Sequence, residues 1–500
     1  MIASPARFAG LPLPIRLVFI GVAGASGALA HAPYDLGPFI LVPLVAAVAL
    51  ARGAARVRDA FGYGLVLGAG YFGLTLSWIV EPFQVDAATT GWMAPIAAVL
   101  LALLLGSFWG LALAFARWGG TGLAFVTGFA GAEMLRAYIF TGFPWANAPQ
   151  ALVDGIAGQG LAWVGPHGMA IVMAAVAVLI VRVHRAWVSA LLVLAASLLI
   201  LAPPLTGPSP LTGTIVRLIQ PNAPQDQKWD PEMIPVFVNR QIDFVASGPV
   251  PDLILMPETA LPYLLEDAQP VFDVLADAAR GAPLMLGIQR RDDGTYYNAL
   301  ASLDGAGQVQ ATYDKHHLVP FGEYMPFQWL FRRIEVGGLA QRAEGGYAAG
   351  PGPALLDLGP LGHALPLICY EVVFAHDVGG APARADFLMN LTNDAWFGMR
   401  SGPQQHLAQA RMRAIEQGLP MLRAANTGIS AVIDPKGRVL DALALNEAGY
   451  LDVTLPAPAV PTFYAQLGDI PFALLLAGFA LATVLLRNRA APIDGGDQGA

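Results

Sequence analysis

The 500-residue sequence is poor in charge: Asp, Glu, Lys and Arg together make up 13%, about half the share usual in soluble domains. Lysine is scarcest, confined to Lys228, Lys315 and Lys436. With a formal net charge of −8, there is no basic surface to hold phosphates, and no nucleic-acid partner is expected. A single cysteine, Cys369, excludes an intrachain disulfide and any cysteine-based zinc or iron–sulfur site. No Gly-x-Ser-x-Gly elbow, P-loop or dinucleotide glycine fingerprint is present. What the chain has in excess is apolar. Hydrophobic residues make up 55% and the mean hydropathy is +0.54, which excludes disorder.

That apolar content is concentrated. Residues 1–204 hold runs near 12–30, 37–51, 61–80, 93–116, 121–140, 161–181 and 186–204, close to the ~20 residues that cross a bilayer core. After Pro204 charges return every few residues until about residue 465. An eighth run, Ile470–Leu486, ends in Arg487-Asn488-Arg489. The pattern predicts a membrane bundle over 1–204, an outer domain over 205–465, and a last helix with a cytoplasmic tail over 466–500. The second run is short and carries Pro38 and Pro43, but removing it destroys the alternation of sides. With the N-terminus inside, Arg7, Arg16, Arg52, Arg56, Arg58, Arg117, Arg182, Arg185, Arg487 and Arg489 all fall on the cytoplasmic side. The opposite loops (31–36, 81–92, 141–160) hold no arginine or lysine, a positive-inside bias that places 205–465 outside. Glu133 and Arg136 lie three apart on the fifth run and share a helical face. They read as a mutually neutralising pair, with Arg136 snorkelling from the outer end.

Residues 205–465 alternate strand-like and helical segments. Strands are expected at Thr214–Ile219, Leu253–Met256, Leu284–Ile288, Tyr297–Leu303, His363–Ile368, Phe387–Leu391, Met421–Ala425 and Ile429–Asp434, with helices at Val271–Ala279 and Gln404–Gln417. The alternation indicates a layered α/β domain, whose functional groups gather beyond strand C-termini. Glu258, Lys315 and Cys369 sit in such places or in the loops between. A lone cysteine is ordinarily an inert core residue. A thiol that works as a nucleophile needs a base or a positive field, and a partly desolvated Glu258 and the rare Lys315 are the candidates. The adjacent His316-His317 lack the spacing and the third ligand of a zinc site, and no metal is expected.

Three segments carry a family resemblance: Met256-Pro257-Glu258-Thr259-Ala260, Lys315-His316-His317-Leu318-Val319-Pro320-Phe321-Gly322-Glu323-Tyr324, and Ile368-Cys369-Tyr370-Glu371. Their order and separations, 57 and 54 residues, resemble the Glu–Lys–Cys triad of the nitrilase superfamily. Leu391-Thr392-Asn393-Asp394-Ala395-Trp396-Phe397 and Arg423-Ala424-Ala425-Asn426-Thr427-Gly428 are similar to the same superfamily. Such a domain between the last two of eight spans resembles the bacterial apolipoprotein N-acyltransferases. So do Ala32-Pro33-Tyr34-Asp35 and Gly142-Phe143-Pro144-Trp145.

The resemblance implies an eight-helix membrane bundle carrying an α-β-β-α sandwich, a monomer in the bacterial inner membrane with its catalytic domain periplasmic and no cofactor. It implies a phospholipid acyl donor and a diacylated apolipoprotein acceptor, joined through a thioester. By carry-over, Glu258 is the general base, Lys315 the oxyanion stabiliser and Cys369 the nucleophile. Glu323 orients the lysine, Tyr370 and Glu371 support the thiol, and Trp229 contacts substrate. Two rival readings are a membrane-anchored amidase of the same superfamily and a transporter or receptor. The second leaves the three residues unexplained.

Overall fold

The computed structural model describes residues 8, 10–205, 207–326 and 346–490. Arg7 of the arginine count and the polar tail after Ala490 lie outside the described residues. The described residues up to 205 are mainly helical. Helices α1 (Leu13–Ala25), α2 (Leu41–Gly53), α3 (Val57–Thr75), α4 (Ala94–Gly119), α5 (Gly122–Tyr138), α6 (Leu161–Arg182) and α7 (Ala186–Leu201) follow in order.

Among the described residues, four helical stretches are long and apolar enough to cross a membrane: Leu13–Ala30, Ala87–Gly119, Ile156–Arg182 and Ile470–Arg489. A fifth is added if α3 and the 3-10 run Ser77–Gln84, bent by 50°, count as one span. The eight expected spans are therefore not matched one for one. The second is a 3-10 turn over Gly37–Ile40 joined to the 13-residue α2, the fifth has 17 residues with an ion pair inside, and the seventh has 16.

That ion pair corrects the sequence reading of Arg136, which is buried rather than snorkelling. Its Nη2 is 2.6 Å from Glu133 Oε2, and its Nη1 donates to the carbonyls of Phe143 and of Trp145, the latter at 2.8 Å. Trp109 Nε1 donates to the other Glu133 oxygen at 2.9 Å. A buried charge pair needs such extra partners to offset desolvation, and here they pin the loop after α5.

Residues 211–456 form two six-stranded sheets. The first has the order β12-β1-β2-β3-β4-β5 and the second β11-β10-β9-β8-β7-β6. In chain order the strands are β1 Leu211–Gln220, β2 Leu253–Leu255, β3 Leu284–Asp292, β4 Thr295–Leu303, β5 Val309–Asp314, β6 Leu356–Asp357, β7 His363–Ile368, β8 Phe387–Thr392, β9 Met421–Ala425, β10 Ala431–Ile433, β11 Val439–Ala442 and β12 Gly449–Pro456. The central strands β1–β3 and β7–β9 are parallel and the outer pairings antiparallel.

Period-2 alternation sorts the side chains into two layers. Leu253, Leu255 and Met285 face the second sheet and share a core with Leu365, Leu367 and Leu422. Ile254, Leu284 and Leu286 face outward and pack with Val245 of helix α8 (Ile234–Ala246) and with Phe272 and Leu275 of α9 (Gln269–Ala279). Helix α10 (Gly402–Gln417) lies on the helical half's side of the second sheet, and α11 (Ile470–Ala490) closes the chain. Helix α8 and strands β5, β6, β11 and β12 were not expected from the sequence.

Candidate active site

Glu258 follows β2 by three residues. The turn that presents it is tight: Thr259 has φ +44°, and Gly287 of β3 lies so close that a Cβ there would be 2.5 Å from the Glu258 Cα. Only glycine fits that approach. The turn is tied to β3 by Ala260 N donating to Gly287 O at 2.8 Å and by Gly287 N donating to Pro257 O at 3.1 Å. From below, the buried Lys228 donates to the Glu258 carbonyl at 3.2 Å and to Thr259 Oγ1 at 2.7 Å. Burial lowers the Lys228 ammonium to about 8, against the pull of Glu258.

Lys315 directly follows β5. Its backbone N–H donates to Asn298 O at 2.8 Å, which fixes the end of the strand and aims the side chain inward. Only 1% exposed, Lys315 places Nζ 2.9 Å from Glu323 Oε1 and 3.5 Å from Glu258 Oε1. Burial works against the ammonium, but Glu323 and Glu258 outweigh it and hold Lys315 above its ordinary range. Glu323 is itself anchored by Val319 N at 2.7 Å.

Cys369 directly follows β7 with φ +51°, an uncommon conformation for a non-glycine residue. It is buried, within electrostatic reach of both Glu258 and Lys315, and hydrogen-bonded to the Thr392 hydroxyl. Burial pushes the thiol well above its ordinary value and the Glu258 charge adds to this, more than Lys315 and Thr392 offset. A thiol shifted in that direction needs a base to act as a nucleophile.

The structure thus brings Glu258, Lys315 and Cys369 together from strands of both sheets, with Glu323 behind the lysine. Glu371 is fully buried. It gathers the backbone N–H groups of His316 (2.7 Å), His317 (3.2 Å) and Ile368 (2.7 Å) and the Tyr313 hydroxyl (3.1 and 3.0 Å to its two oxygens). Tyr370 turns toward the helical half, its hydroxyl 3.4 Å from Gly142 O. Trp229 is 39% exposed and meets the site through its neighbour, with Lys228 Nζ 5.7 Å from its ring.

Asn298 and His406 were not singled out from the sequence, whereas Asn393, Asp394 and Arg423 lay in the resembling stretches without an assigned role. Asn298 Nδ2 donates to Glu258 Oε1 at 2.7 Å and to Glu323 Oε1 at 3.0 Å. Asn393 N donates to Glu258 Oε2 at 2.8 Å. His406 places Nε2 3.2 Å from the Cys369 carbonyl oxygen and Nδ1 2.8 Å from Asp394 Oδ1. Burial works to raise Asp394, but Arg423 and His406 hold it at about 2. The one available signal was the amide of Asn298 among the buried residues of β4; His406 sits in a polar helix and gave none.

Residues 219–462 match the family model for Carbon-nitrogen hydrolase, and residues 23–179 match that for Apolipoprotein N-acyltransferase N-terminal domain. A relative from Rhodopseudomonas palustris named apolipoprotein N-acyltransferase is 37% identical, over 95% of this chain and 95% of its own length. One of the same name from Bradyrhizobium diazoefficiens is 38% identical, over 93% of this chain and 94% of its own. The chain belongs to the apolipoprotein N-acyltransferase family. A solved amidase from Nesterenkonia sp. is 22% identical, covering 54% of this chain and 98% of its own with a TM-score of 0.38. The segment matching the N-acyltransferase N-terminal domain precedes the two-sheet domain that carries Glu258, Lys315 and Cys369.

Proposed function

We propose that this protein moves a fatty acyl chain from a phospholipid to the N-terminal α-amine of a diacylglyceryl-cysteine apolipoprotein, with Cys369 as the covalent carrier. The observation that carries this reading is the buried cluster in which Lys315 Nζ stands between Glu258 and Glu323 beside the Cys369 thiol. Glu258 takes the Sγ proton as sulfur attacks the ester carbonyl carbon. The C–S bond forms, and the negative charge that develops on the carbonyl oxygen is met by the Lys315 ammonium, a preorganised cation in a dry site. Collapse breaks the C–O bond, and the lysophospholipid leaves with the proton held by Glu258. In the second half the acceptor amine attacks the thioester carbonyl and gives its proton to Glu258. The C–N bond forms, C–S breaks, and the proton returns to sulfur. An ester has become an amide, and the enzyme is restored.

The same reading places residues 1–204 in the membrane as seven passes, 205–465 as the catalytic domain and 466–500 as the eighth pass and tail. The shorter α2, α5 and α7 complete the long spans. The arginine distribution supports an inner-membrane protein with its catalytic domain on the periplasmic side. Both substrates are lipid-anchored, which accounts for a catalytic domain joined to a membrane bundle.

Single-turnover acylation of Glu258→Gln and Lys315→Met tests the assignment. Each is expected to lose at least about 100-fold in thioester formation, as for removal of a principal electrostatic group. Near-normal acylation by either variant would remove that residue from the mechanism.

A further inference from the structure

Helix α10 is polar, yet buried along most of its length. A surface helix turns its polar residues to water; this one spends them on the helical half. Gln405, 2% exposed, is one point of contact. Its Nε2 donates to Thr75 O at 2.9 Å and Ala32 O at 3.2 Å. Its Oε1 accepts from Trp145 Nε1 at 2.9 Å and Trp78 Nε1 at 3.2 Å. Its carbonyl accepts from Gln150 Nε2 at 3.1 Å. A primary amide has two donors and two lone pairs, so the side chain is saturated by partners from the turn at Ala32, the end of α3, the run after it and the 142–147 loop. The next residue, His406, belongs to the Cys369 side: its ring bonds Asp394 and the Cys369 carbonyl, and Trp145 stacks on it at 5.3 Å.

We propose that Gln405 is a positioning residue that fixes the register of the Cys369 turn against the helical half, and so governs delivery of a long-chain donor rather than the chemistry of the thiol. This rests on the thioester reading above. The groups that perform the chemistry are held by bonds within the two-sheet domain: Asn298 to Glu258 and Glu323, and Asp394 to His406 and Arg423. None of those bonds involves the Gln405 side chain. A phospholipid seated against the helical half meets the thiol only if the two halves keep register, and a misplacement of about 1 Å costs about 100-fold. A small soluble ester needs no such register.

The test uses the full-length protein in detergent micelles. Gln405→Glu is nearly isosteric but replaces the amide donors with oxygen, so the Ala32 and Thr75 carbonyls face a carboxylate. Gln405→Ala removes all four side-chain bonds. Acylation of Cys369 is followed by intact mass with a long-chain phosphatidylethanolamine and, separately, with p-nitrophenyl acetate. Phospholipid acylation is expected to fall about 100-fold, while acetylation stays within about twofold of wild type, the factor expected when the site geometry is kept. Equal losses with both donors would make Gln405 a general stabiliser and overturn the inference, as would no loss with either. Should a variant fail to fold, judged by its melting temperature, Gln150→Leu removes only the bond to the Gln405 carbonyl and must give the same split in the same direction. A wild-type protein acetylated by the small ester but never acylated by phospholipid would overturn the thioester reading and this inference with it. A normal wild type with unsplit variants overturns this inference alone.

Discussion

Glu371 Oε1 accepts the backbone N–H of His316 at 2.7 Å. The residue two places after Cys369 therefore holds the residue next after Lys315, and the nucleophile and the cation are tied through one carboxylate. Its second oxygen accepts Ile368 N at 2.7 Å, at the other end of the Cys369 turn. Glu371→Gln would set an amide N–H₂ against one of these buried donors, costing about 1–3 kcal/mol. The expected outcome is a melting temperature several degrees lower and slower thioester formation. An unchanged pair of values would show that the tie does not set the geometry.

Asn298 stands between Glu258 and Glu323 with one amide group bonding both. Asn298→Asp would place a third carboxylate beside two others, with Lys315 the one cation bonded to them among the described residues. Thioester formation is expected to fall at least about 100-fold, and Asn298→Ala, which only removes the donor, is expected to lose less. Single-turnover acylation of the two variants checks the order.

Such residues explain where sequence reading stopped. Glu258, Lys315 and Cys369 were legible because each lies in a distinctive motif, and Glu258 and Cys369 also follow apolar strands. Asn298 is one amide within β4, and nothing local says that a carboxylate sits on either side. The helix containing Gln405 was legible as a helix, but its polar face gave no hint of burial, because its partners lie some 255–373 residues away in sequence. Arg136 was misjudged for a local reason: its partners Phe143 and Trp145, seven and nine residues on, belong to a loop that folds back. Strand β12 pairs with β1 across most of the domain, and its Leu451, Val453 and Leu455 alternate with Asp452 and Thr454, a signal the sequence reading passed over; β11, exposed throughout, offers none. The span count differed because short helices joined by 3-10 turns read as continuous runs on hydropathy alone.

His316 gives a pH dependence. Burial works against its charge, but hydrogen bonds to Asp377 and Glu371 prevail and raise it from 6.5 to about 9. A raised folded-state value means the stabilisation is complete below 6.5 and is lost as pH rises through about 9. Lys228, lowered to about 8, changes stability in the opposite sense over the alkaline range. The decisive quantity is therefore the difference between the wild type and His316→Gln. The melting-temperature gap between them is expected to shrink as pH rises across that window, and a constant gap would contradict the assignment.

The central claim is that Cys369 carries the acyl chain, and intact mass after incubation with phospholipid alone tests it most directly. The protein should gain the mass of one fatty acyl chain, released by neutral hydroxylamine as a thioester is, and Cys369→Ala should gain nothing. A diacylated lipopeptide should then discharge the adduct onto its α-amine much faster than water does. No adduct on the wild type, or an equal adduct on Cys369→Ala, would contradict the account, and discharge by water as fast as by lipopeptide would make the protein a hydrolase.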